Sequence, residues 1–178
     1  MNQLPDTFLI PFLFVVGAIF GSFLNVVIYR VPKKMSVVNP GSHCFSCKKT
    51  IKIKDNIPII GYFLLDGKCR NCKEPFPSRY AFVELISALL TVCVYLVYGM
   101  GQSFIMYLFL TYLLIAITFV DIDHFIIPNG FVLIGLGALF MGLYFQWIPL
   151  DWEYALSGSF VFAGFLFAIG LIGQFILK

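Results

Sequence analysis

The sequence predicts an all-α polytopic membrane protein, with about five transmembrane helices and a cysteine-bearing cytoplasmic loop domain between the first and second. Three observations carry this prediction. Apolar residues make up 60% of the 178-residue chain and charged residues 12%, with a mean hydropathy of +0.93; soluble domains are about a quarter charged. Five windows match or approach the roughly 20 apolar residues that cross about 30 Å of hydrocarbon as a helix. They are Phe8 to Tyr29, Tyr80 to Tyr98, Ser103 to Val120, Gly130 to Leu150 and Tyr154 to Leu177. Finally, 11 of the 12 Lys and Arg lie between Arg30 and Arg79, and Lys178 is the twelfth.

That asymmetry sets the expected orientation. Positive charge stays on the cytoplasmic side, so the 30–79 segment is read as cytoplasmic and the N-terminus as outside. Counting spans then puts Gly99 to Gln102 outside, Asp121 to Asn129 inside, Pro149 to Glu153 outside and Lys178 inside. The first span has no basic segment before it and no small-residue cleavage site, so it is expected to be retained rather than removed as a signal peptide. Topology explains the basic segment better than nucleic-acid binding does, because its charges are dispersed. Three regions follow: a first transmembrane helix (1–32), a cytoplasmic loop with four cysteines (33–79) and a four-helix membrane portion (80–178).

Within the first span, Gly17 and Gly21 form a small-x-x-x-small pair that lets a neighbouring helix approach. Asn25, four residues on, shares that face; it reads equally as a packing group between helices and as a functional one. The loop that follows carries Cys44, Cys47, Cys69 and Cys72 as two C-x2-C pairs separated by 21 residues. Four thiolates in this pattern suit tetrahedral zinc. Disulfides are the alternative, disfavoured by the reducing cytosol. A polar segment this small lacks a core of its own, and the metal supplies the missing stability. His43 is not expected to be a ligand, because four sulfurs close the site.

Glu84 lies about one turn inside the second span, where an acid needs a partner or water. An ion pair with Arg79 is the simple expectation. Cys93, in mid-span, reads as core filler. The most informative stretch is TFVDIDHFIIPNG, 118–130, which separates two long uncharged runs with Asp121, Asp123, His124, Pro128 and Asn129. It is either a polar loop tip or a site placed at the membrane surface. The fifth span carries Gly158, Gly164, Gly170 and Gly173, read as positions of close helix contact.

Four stretches together resemble the type IV prepilin peptidases, the leader peptidases and N-methyltransferases of bacterial pilus, type II secretion and competence systems. They are GSFLNVVIYRVP (21–32), the knuckles CFSC and CRNC, SRYAFVEL (78–85) and DIDHFIIPN (121–129). The resemblance implies a GxGD-class membrane aspartic protease whose first acid stands in D-x5-I-P-N/D. Ile127, Pro128 and Asn129 set that register, so the matching catalytic acid is Asp121 rather than Asp123. Asn25, Glu84, Asp123, Pro128 and Asn129 are candidate support or substrate contacts. The implied substrates are prepilin or pseudopilin precursors in the bacterial inner membrane, cut at its cytoplasmic face and methylated at the new N-terminus. Zinc is the implied structural metal and S-adenosylmethionine the methyl donor, with no donor-binding residues assigned and no nucleic-acid partner.

The chain departs from the family in containing no G-x-G-D motif. The expectation is a version truncated before the second aspartate, able to bind a prepilin but not to cleave it. A different class of function is a non-catalytic zinc-loop module docking a cytoplasmic partner. A thiol oxidoreductase is a third, although no thioredoxin-like pattern surrounds CRNC.

Overall fold

A computed structural model describes residues 5–176. Helix α1 spans Asp6–Arg30, α2 Ile60–Leu64, α3 Arg79–Tyr98, α4 Gln102–His124, α5 Asn129–Tyr144 and α6 Trp152–Ile176. The described residues contain no β-strand, only two isolated bridges in the loop. Leu177 and Lys178, on which the last span end and the expected return of the chain to the inside rest, lie outside the described residues.

Residues 1–136 form one compact unit and residues 137–178 a second. In the first, α1, α3 and α4 pack side by side, with α1 and α3 antiparallel: Tyr95, near the end of α3, donates its hydroxyl to Asp6 at 2.6 Å, and Asn25 Nδ2 donates to the Tyr80 carbonyl at 3.0 Å. The glycine pair makes the contact close. A Cβ at Gly17 would stand 2.8 Å from the Ala88 Cα, and one at Gly21 would stand 2.7 Å from the Glu84 Cα and 2.9 Å from the Ser87 Cβ. In a bilayer, where lipid is as apolar as leucine, this dispersion contact and the few buried polar bonds hold helices together. Thr91 adds one such bond, to the hydroxyl of Tyr112 on α4 at 2.7 Å.

Leu24, Ile28, Val83, Ile115, Ala116, Phe119, Val120 and Phe131 make the core at the loop end of this bundle, and Leu9, Leu13 and Phe104 a smaller one at the other end. Phe8, Phe12, Val15 and Ile19 point outward from α1, as expected of a surface facing lipid. Cys93 is likewise exposed rather than part of the core.

Among the described residues, four helices are long and apolar enough to cross a membrane, and the expected fourth span is not one of them. The expected span Gly130 to Leu150 is not one continuous helix: α5 has 16 residues, about 24 Å at 1.5 Å per residue. It ends in a left-handed cap: Gln146 takes φ 56, its amide returns to the Leu143 carbonyl at 3.2 Å, and the Trp147 amide reaches Gly142 at 2.8 Å. These are the paired bonds of a Schellman stop, which hydropathy alone does not register. Within its own unit, a Cβ at Gly158 or Gly164 of α6 would meet nothing within 4 Å, and Gly170 and Gly173 lie outside the residues whose side-chain surroundings are described.

Candidate functional site

The four loop cysteines converge. Their sulfurs all lie within 4.8 Å of one another, with Cys44 and Cys72 at 3.6 Å and Cys47 and Cys69 at 4.0 Å. A zinc ion with sulfurs at 2.3 Å sets a tetrahedral edge of about 3.8 Å, which this spacing matches. Both close contacts run between knuckles, and all four thiols are free. The cluster therefore fits one ion better than two C-x2-C redox pairs.

Each half is built the same way. In the first, the Cys44 amide donates to Lys49 at 3.0 Å and the Lys48 amide to Cys44 at 2.9 Å; in the second, the Cys69 amide donates to Glu74 at 2.8 Å and the Lys73 amide to Cys69 at 2.9 Å. Lys48 and Lys73 both take positive φ, 59 and 61, and a bridge flanks each turn, His43 to Thr50 and Lys68 to Pro75. The ligands differ in proton affinity. Amide hydrogen bonds from Cys72 and Asn71 lower the Cys69 thiol to about 6. For Cys72 the Glu74 amide pulls in the same direction, but desolvation and the neighbouring thiols outweigh it and push the group up to about 12.

The loop is tied to the end of α1 at two points and to itself at a third. Buried Arg30, at the end of α1, donates to the Ser36 carbonyl at 2.9 Å and to Pro40 at 2.7 Å, which turns the chain back under the bundle. Phe45 of the first knuckle packs against Tyr29 with ring centroids 4.6 Å apart and planes tilted by 43°. Arg70 of the second grips both carboxylate oxygens of Asp55, at 2.8 and 2.6 Å, and holds that carboxyl below its usual range.

Glu84 does not pair with Arg79. Its Oε2 accepts the Ile59 amide at 2.6 Å, across 25 residues of sequence. Ile59 is β-branched and sits at φ 63, a conformation costing on the order of 1–3 kcal/mol unless its surroundings hold it. The bond to Glu84 is one such restraint. Arg79 instead forms an ion pair with Asp123, joining the start of α3 to the end of α4.

Asp121 lies in the last turn of α4. Its carbonyl accepts the amide of Phe125 at 2.7 Å, and Phe125, at φ 53, ends the helix in the left-handed conformation. The Asp121 carboxylate is exposed, with no hydrogen bond or ion pair among the described residues. Pro128 leads into α5, which Asn129 begins. Two groupings result: Asn25 and Glu84 share a cavity at the foot of α1 and α3, while Asp121 lies outside it. The tyrosines that line the cavity, Tyr29, Tyr62 and Tyr80, were not singled out from sequence. Their positions at span ends and in the loop resemble an ordinary interfacial belt.

Residues 15–98 match the family model described as the bacterial peptidase A24 N-terminal domain. The match covers the cavity and both knuckles. The chain is 36% identical to the type 4 prepilin-like proteins leader peptide-processing enzyme of Escherichia coli O78:H11 over 84% of its length and 62% of that protein. It is a relative of the prepilin leader peptidases. Two enzymes named prepilin leader peptidase/N-methyltransferase agree: that of Myxococcus xanthus is 39% identical, with 71% of this chain and 38% of that protein covered, and that of Neisseria gonorrhoeae is 35% identical, with 75% and 56% covered. The chain thus spans about two fifths to three fifths of the length of these relatives. No solved structure matches it.

Proposed function

We propose that this chain acts in the processing of type IV prepilins or related pseudopilins, in which the leader is removed at the cytoplasmic face of a bacterial inner membrane and the new N-terminus is methylated. The observation that carries the reading is the 35–39% identity to leader-processing enzymes over 71–84% of the chain. Asp121 is assigned as one carboxylate of an aspartic pair. In such a pair one carboxylate takes a proton from the attacking water and the other protonates the scissile carbonyl, which requires a shared proton. An exposed acid at the end of an apolar helix suits a cut close to the bilayer surface.

No acid among the described residues forms a hydrogen-bonded pair with Asp121, and the chain has no G-x-G-D motif. Cleavage therefore needs a second carboxylate, and the 178 residues alone are expected to bind a prepilin without cutting it. Zinc held by Cys44, Cys47, Cys69 and Cys72 stabilises the loop and takes no part in the reaction. S-adenosylmethionine supplies an electrophilic methyl group for the second reaction, and the chain orients donor and acceptor. Lipid surrounds the helices, and no nucleic acid is involved.

The test is membrane-reconstituted cleavage of a prepilin whose basic leader ends in Gly-Phe, using the 178-residue chain and a version extended through a G-x-G-D segment. Only the extended version cuts; robust cleavage by the shorter one overturns the assignment of the pair. Orientation is checked separately by single-cysteine labelling on a background without native cysteines. Ser36 and Asn129 should react from the cytoplasm, and Gln102 and Asp151 from outside.

A further inference from the structure

A partly open cavity of about 150 Å³ lies where the end of α1, the start of α3 and the loop meet. All its lining residues fall between Ser22 and Glu84. Two buried acceptors stand in its wall. Asn25 is 8% exposed; its Nδ2 is taken by the Tyr80 carbonyl, and its Oδ1 has no partner. Glu84 is 9% exposed and its hydrogen-bond partners, the Ile59 amide and the Ser22 hydroxyl, are both neutral. A buried carboxylate with no cation beside it is costly, as is an orphaned amide oxygen.

The other charged and ionisable groups of the wall are already engaged. Arg30 is turned to the carbonyls of Ser36 and Pro40, Asp55 to Arg70, and His43 directs Nδ1 at the Gly41 carbonyl at 2.9 Å. What remains is aromatic: Tyr29 and Tyr80 already draw cations to their rings, Lys33 Nζ at 3.5 Å and the Arg79 guanidinium at 5.7 Å from the centroids, and Tyr62 has no cation over it among the described residues; aromatic faces attract cations that carry apolar substituents. The recognition chemistry of the lining is therefore weighted towards acceptors and π-faces, and its one guanidinium, that of Arg30, is already bonded.

We infer that this cavity binds an alkyl onium group, a positive charge carried on apolar substituents, with Glu84 as its counter-charge and Asn25 Oδ1 as its second acceptor. The inference rests on the methylation reading, which offers two sources of such a group: the sulfonium of the methyl donor and the terminal ammonium of the processed pilin. It makes the cavity the seat of methyl transfer, apart from the proteolytic acid.

The experiment titrates the purified, zinc-loaded 178-residue chain with two matched pairs of probes. One pair is S-adenosylmethionine and its neutral thioether, S-adenosylhomocysteine. The other is a Phe-initiated peptide with a free or an acetylated terminus. Binding is followed calorimetrically, so that no turnover is needed. The charged member of at least one pair should bind roughly tenfold or more tightly than its neutral partner, and the pair that discriminates identifies the source. Glu84→Gln keeps an oxygen for the Ile59 amide and so preserves the fold, which retained zinc content checks; it should erase the charge preference.

A preference that survives Glu84→Gln overturns the cavity assignment and leaves the methylation reading standing. No preference in the unmodified chain overturns the cavity assignment and removes support for methylation by this portion of the protein as well.

Discussion

Glu84 and Asp121 are both acids within a turn or two of a helix end, and sequence alone makes them look alike. Their surroundings differ. Glu84 is enclosed by α1, α3 and the four-cysteine loop, with a backbone amide on one oxygen and an orphaned amide oxygen in the same wall. Asp121 stands exposed on the last turn of α4, with no side-chain partner among the described residues. A pocket that surrounds its acid can select a ligand by charge without help, whereas an open acid that must share a proton depends on another carboxylate being brought to it. The two sites can therefore be perturbed one at a time.

The sharpest separation comes from Asp121→Asn in the extended, cleaving version. An amide neither takes up nor supplies the catalytic proton, so cleavage should fall by about 10³-fold or more; full activity would remove the aspartic mechanism. Loss of metal strikes the other side. Purified protein should carry about one zinc, and Cys69→Ser should lose it and loosen the loop that brings Ile59 to Glu84, as elemental analysis and proteolysis would read. Zinc affinity should also weaken as pH falls. Cys72, pushed up to about 12, must release its proton to bind, and Cys69, lowered to about 6, has a proton to displace only near or below that pH. A zinc affinity independent of pH between 5 and 8 would contradict the thiolate assignment.

A smaller effect follows from Gly21→Leu. Its side chain would enter space already filled by Glu84 and Ser87 of α3, an overpacking worth about 1–3 kcal/mol. Thermal unfolding in detergent should register the loss, and onium selectivity should disappear with it. Asp123→Asn is expected to matter least. It removes an ion pair with Arg79 whose side chains are 23% and 26% exposed, worth about 0.2–1 kcal/mol, and should leave most of the cleavage; its loss would make Asp123 part of the catalytic pair.

Much of this was readable along the chain because the signals are local. Hydropathy places α1, α3, α4 and α6, since roughly 20 adjacent apolar residues suffice. Two C-x2-C turns announce a four-sulfur site because each turn forms its own geometry, repeated here to the φ of Lys48 and Lys73. Gly17 and Gly21 lie on one helical face whatever packs there. The identities of the partners were not readable. Arg79 is five residues from Glu84 yet pairs with Asp123, 44 residues away, while Glu84 finds an amide 25 residues back. The fourth apolar run stops at a left-handed cap rather than at its last apolar residue. Composition and spacing act within a few turns of chain, so they determine which segments become helices and which thiols can share an ion. A polar atom bonds to whatever lies within about 3 Å of it, and that is decided only when α1, α3, α4 and the loop have packed.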